Sequence, residues 1–213
     1  MRKTLLLITL FYFFNLSSQE VDFDMRSGSH TIEFNTDFDY SSEDPYRMVF
    51  FEKLPTEEQK KELNDLGMKF LYYLPDNIFV VNLSNDISIE TISNYQILSI
   101  NNILPKYKID LKLKQDSFPN WCVVDGLLHI KLLLFSDVEL SLVEDDILSL
   151  VESIEEVNEE SNYITAIINP SNMDLIAQLY FISYIEPINP PPTRENMTGR
   201  TLHRTNVINV EYP

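Results

Sequence analysis

The sequence predicts an α+β protein built from two tandem ferredoxin-like (βαββαβ) units. Three observations carry that reading. Residues 46–83 run strand, helix, strand, tight turn, strand. A looser copy of the plan returns between Gly126 and Pro187. The two copies close alike, on Asn102-Ile103-Leu104-Pro105 and Tyr184-Ile185-Glu186-Pro187, as matching ends of one repeated supersecondary unit do.

The chain opens with a short positive stretch, Arg2 and Lys3. An apolar run follows from Thr4 to Phe14, interrupted only by threonines, and then small residues at Asn15-Leu16-Ser17-Ser18. That is the layout of a secretory signal peptide over residues 1–18, too short to span a bilayer as a helix. Residues 19–45 alternate acidic and aromatic side chains and read as a leader arm. Their paired acids lack the spacing, central glycine and closing glutamate of a calcium loop.

The first unit spans residues 46–109. Arg47 to Lys53 is a strand ended by Leu54-Pro55. Thr56 with Gln59 makes a capping box. Gln59, Leu63 and Leu66 share a helical face, and Glu57 and Lys61 pair outside it. Gly67 closes the helix. Met68 to Leu74 and Ile78 to Leu83 are strands around the Pro75-Asp76-Asn77 turn. Ser88 opens a helix through Tyr95 with Ile89 and Ile92 inward, and Leu98 to Leu104 closes the unit. Residues 110–125 are a linker, and Lys106, Lys108, Lys112 and Lys114 around its start read as solvated.

The second unit spans residues 126–188. Leu127 to Phe135 is a strongly apolar strand. Ser136 with Glu139 proposes a second capping box, followed by a helical stripe of Val143, Ile147, Leu150, Val151 and Ile154. Glu155 to Asn158 and Tyr163 to Ile168 pair around a polar turn. Ser171 caps a helix carrying Met173, Ile176, Ala177 and Tyr180, and Phe181 to Glu186 is the last strand. Residues 189–213 begin with the stiff Pro190-Pro191-Pro192 and end in a polar stretch with Arg194, Arg200, His203 and Arg204.

Composition narrows the function. The 213 residues are 44% hydrophobic and carry a net charge of −17, a folding chain with an acidic surface. Nucleic acid and anionic lipid both call for a Lys/Arg surface, so neither is an expected partner. Four glycines leave no phosphate-cradling loop, and no cofactor is expected. Cys122 is the only cysteine, so no intrachain disulfide and no cysteine metal site can form. Beside Trp121 and Val123 it reads as a small buried hydrophobe.

Several stretches, taken in order, carry a resemblance. Tyr46-Arg47, Leu54-Pro55-Thr56-Glu57-Glu58-Gln59-Lys60 and Leu74-Pro75-Asp76-Asn77 resemble the N-terminal region of secreted bacterial subtilisin-like serine peptidases (subtilases) of the fervidolysin-like prodomain type. So do Ile103-Leu104-Pro105, Phe135-Ser136-Asp137 and Ile185-Glu186-Pro187. Asn196 to Asn206 looks like the entry to their catalytic domain, and the resemblance covers about residues 46–208. It implies a propeptide that assists folding of a subtilisin-like catalytic domain and blocks its active site, in cis or in trans.

The Asp-His-Ser triad motifs of that family are absent, and His203, between Leu202 and Arg204, takes no triad role. The chain as given is therefore expected to hydrolyse nothing and to be the N-terminal part of a longer protease. A free-standing secreted inhibitor and an extracellular α+β interaction module are the alternatives. The residues expected to meet the partner are Tyr184, Ile185, Glu186, Pro187, Asn189, Arg200, His203 and Arg204, with the second unit docking because it adjoins the place where a protease would begin.

Overall fold

The computed structural model describes residues 20–34, 44–83, 87–114 and 118–191. The signal-peptide expectation and the tail from Pro192 onward, with Arg200, His203 and Arg204, lie outside the described residues. The protein is mixed α/β, with antiparallel sheets and short helices. It divides into two compact units, residues 1–25 with 29–102 and residues 26–28 with 103–213.

In the first unit the order is strand β3 (Tyr46–Phe51), helix α1 (Glu57–Asp65), β4 (Met68–Leu74), β5 (Ile78–Leu83), α2 (Ile89–Asn94) and β6 (Ile97–Asn102). The sheet order is β4-β5-β3-β6, all neighbours antiparallel. Helix α1 starts where its chemistry dictates. Thr56 accepts from the Gln59 N–H at 3.2 Å, and the Gln59 side chain accepts from the Thr56 N–H at 2.9 Å. Thr56→Ala is expected to cost about 1 kcal/mol, read from the urea midpoint; an unchanged midpoint would show that the box contributes nothing.

The helix ends at Gly67, whose φ of 100° suits a residue without a Cβ. Leu63 is its one fully buried side chain, and Leu66 stays 45% exposed. The helix is nine residues long. The outer ion pair is Glu57 with Lys60 at 2.8 Å, one position short of the expected Lys61. Ile92 packs inward as expected, while the Ile89 side chain lies outside the described residues.

Strand β3 is buried along its whole length. Alternation sends Val49 and Phe51 toward Leu63, Met68, Phe79 and Val81. It sends Tyr46, Met48 and Phe50 to the opposite face. That face is covered by a hairpin of β1 (Glu20–Met25) and β2 (Gly28–Glu33), where a leader arm was expected. Phe23 meets Phe50 edge-on at 6.2 Å, Phe34 lies 5.4 Å from Phe50, and Asn101 donates to the Glu33 carbonyl at 3.0 Å.

In the second unit the elements are α3 (Pro105–Lys108), β7 (Val123–Val124), β8 (Leu127–Leu134), α4 (Glu144–Leu148), β9 (Ser153–Asn158), β10 (Tyr163–Ile168), α5 (Met173–Gln178) and β11 (Ile182–Pro187). The sheet order is β11-β8-β10-β9, with β7 adding to β8 through a two-residue Asp125-Gly126 loop. Both loop residues have positive φ, 53° and 82°, the combination such tight hairpins favour.

The expected capping box at Ser136 and Glu139 does not form. The Glu139 carboxylate accepts instead from the Ser141 hydroxyl at 2.9 Å. A 3-10 turn, Leu140–Leu142, precedes α4, which lacks a side-chain cap and runs only five residues. Val143 and Ile147 are buried as expected, but Ile154 reaches the core from β9, opposite Ala166. The chain has turned by then, because the Glu152 N–H already donates to the Ile167 carbonyl at 2.8 Å. Ser171 does not cap α5: a 3-10 turn, Pro170–Asn172, precedes the helix and is capped by Asn169, which accepts from the Ser171 N–H at 3.0 Å, while α5 itself has no side-chain cap. Met173, Ile176 and Ala177 are buried, and Tyr180, beyond the helix end, is 42% exposed.

The lysines at residues 106–114 are not all solvated. Lys108 is buried, and its ammonium donates to the Leu179 carbonyl at 2.9 Å. Lys114 donates to the carbonyls of Ser27 and Lys106. Desolvation lowers its proton affinity, against the pull of Asp110.

Candidate functional site

Strand β8 is the spine of the second unit's sheet. Its sequence, LLHIKLLL, is apolar except at His129 and Lys131, two alternate positions. Leu128, Ile130, Leu132 and Leu134 therefore enter the core, with Ile164, Ala166, Ile168, Ile182 and Ile185. Leu127, His129, Lys131 and Leu133 form a half-buried opposite face.

Register builds that face into rows. Lys131 stands between Thr165 of β10 and Glu186 of β11. Its ammonium sits 4.2 Å from the centre of the Tyr163 ring, a cation–π distance. The Tyr163 hydroxyl donates to Glu156 at 2.9 Å, which pushes the phenol's pKa up. His129 Nδ1 lies 3.2 Å from the Glu155 carboxylate. At the other side, the Tyr184 hydroxyl donates to Asp110 at 3.1 Å. Burial, followed by the charge of Asp110, raises that phenol's pKa well beyond the usual range, and Arg26 pulls the other way. The Arg26 guanidinium lies 5.9 Å from the Tyr184 ring and 3.7 Å from the Glu186 carboxylate.

The residues expected to meet a partner divide accordingly. Tyr184 and Glu186 belong to this face, engaged with Asp110 and Arg26. Ile185 is wholly buried, and Pro187 is buried opposite Ile130. Asn189 is exposed just beyond the last strand. Sequence reasoning did not single out His129, Lys131, Tyr163, Glu156 or Arg26 for this face. The polar pair at alternate positions of an apolar strand was the available signal for His129 and Lys131.

The arrangement is one of paired charges and aromatic rings. The Cys122 thiol is fully buried and donates to the Pro119 carbonyl at 3.2 Å. Burial raises its pKa, the reverse of what an activated nucleophile needs. Among the described residues no group of three or more His, Cys, Asp or Glu side chains could hold a metal ion. In the first unit a cavity of about 350 Å³ is lined by Asp22, Asp24, Ser29, His30, Thr31 and Asp76, among others. The Ser29 and Thr31 hydroxyls already donate to Asp24 and Asp22, both at 2.6 Å. No helix among the described residues is long and apolar enough to cross a membrane.

The model of a family described as a domain of unknown function (DUF8729) matches residues 16–105. The chain is similar to that family over a span that includes the β1–β2 hairpin and the whole run from β3 to β6. No curated protein and no solved structure matches.

Proposed function

We propose that this chain is the non-catalytic prodomain of a secreted subtilisin-like serine protease, acting as intramolecular chaperone and active-site inhibitor. We assign both units to the ferredoxin-like class, a reading supported by the shared βαββαβ order and the equivalent strand orders β4-β5-β3-β6 and β9-β10-β8-β11. One observation supports the function above the others. The second unit's sheet keeps a half-buried face of paired charges and rings, and one residue past its last strand, after Ile188, come the exposed Asn189-Pro190-Pro191. A face can hold a protease while a trailing extended segment enters its substrate groove.

The test is titration of the purified protein against a subtilisin-type protease cleaving a chromogenic peptide. Competitive inhibition at micromolar protein or below is expected. Unchanged hydrolysis throughout the micromolar range would sink the proposal.

A further inference from the structure

The last strand ends at Pro187, but the chain is held for one residue more. The Ile188 N–H donates to the His129 carbonyl at 3.3 Å, and the Ile188 carbonyl accepts from the Trp121 indole N–H at 2.9 Å. The Ile188 side chain packs against the core. Asn189, Pro190 and Pro191 then stand exposed.

Trp121 is the chain's only tryptophan, and it remains 38% exposed. A tryptophan indole has one donor and no acceptor, and here that donor goes to a carbonyl beyond the sheet. Its mount is firm. It sits in the 3-10 turn Asn120–Cys122, between the Pro119 carbonyl bonded to the Cys122 N–H at 3.0 Å and the wholly buried Cys122 side chain. Consecutive prolines fix φ and favour a stiff extended conformation. A direction set at Ile188 therefore carries along the segment that follows.

We propose that Trp121 is a positioning residue: it fixes the direction in which the chain leaves the second unit from Asn189 onward. Its functional consequence rests on the prodomain reading, in which that segment must enter the groove while the sheet face is docked. Trp121→Phe keeps an aromatic ring and removes the donor together with the indole's second ring.

The single indole N–H gives one tryptophan resonance in a proton–nitrogen NMR spectrum. Its hydrogen exchange is expected to be roughly tenfold slower than that of a free indole, with the Asn189 amide as ordered as those of β11. In Trp121→Phe the Asn189 amide becomes mobile on the nanosecond timescale, and inhibition of the protease weakens about tenfold. The thermal midpoint stays within a few degrees of the parent.

An Asn189 amide equally ordered in both proteins would overturn the proposal, as would unchanged inhibition by the variant. If the parent protein inhibits nothing, the prodomain reading fails, and the Asn189 comparison still decides the positioning role. If the variant does not fold, the parent's indole decides: exchange at the free rate refutes the positioning role, and slowed exchange supports it.

Discussion

Replacing Phe50 by alanine is expected to destabilise the first unit by about 3–5 kcal/mol, the usual range for deleting a buried phenylalanine. Phe50 is 2% exposed and lies on the sheet face away from α1 and α2. Phe23 and Phe34 both rest on its ring, so the loss combines buried area, a cavity and two aromatic contacts. The effect should be local in kind. Amides of β2, Ile32 among them, should lose hydrogen-exchange protection before those of β5, because an isolated two-stranded hairpin is marginal in water. Phe50→Leu should cost much less. A loss below about 1 kcal/mol for the alanine variant, with Ile32 still protected, would show that the hairpin is held by something other than this aromatic cluster.

Leu132→Ala should carry a similar cost in the second unit, about 2–5 kcal/mol. Leu132 has no exposed surface and sits at the middle of β8, between Ile164 of β10 and Ile185 of β11. Shortening it leaves a void that two hydrogen-bonded neighbours cannot easily close. Trp121 belongs to the same unit, so its fluorescence follows the urea transition directly. Leu132→Met, close in volume, should restore most of the midpoint. If the alanine variant unfolds at the parental midpoint, the core described for this unit is wrong.

The sequence reading succeeded where local chemistry and burial agree. The capping box at Thr56, the helix stop at Gly67 and the apolar runs of β5 and β8 each point to one structure, and α1, β4 and β5 lie where they were expected. It failed where two local signals compete. Ser136 and Glu139 have the spacing of a cap, but Glu139 is taken by Ser141 and the segment coils through a 3-10 turn. The hairpin at residues 20–33 was hidden for another reason: it packs on Phe50, well away in sequence, a contact that no local pattern reveals. The candidate face was half legible. His129 and Lys131 announce an outward face, whereas the contacts of Arg26 with Tyr184 and Glu186 join residues far apart in the chain.

The position of β9 has a consequence for how the protein behaves in concentrated solution. As the terminal strand of its sheet order, β9 has a single partner, β10, among the described residues. A strand with a free edge invites another chain to extend the sheet and so begin aggregation. On this strand Glu155 and Glu156 are exposed, and exposed Glu152, Glu159 and Glu160 flank it. A second copy approaching edge to edge would bring like charges together at the distance of a strand pair. Part of the chain's acidity is thus placed where it discourages self-assembly and leaves a basic or neutral surface as the more favourable neighbour.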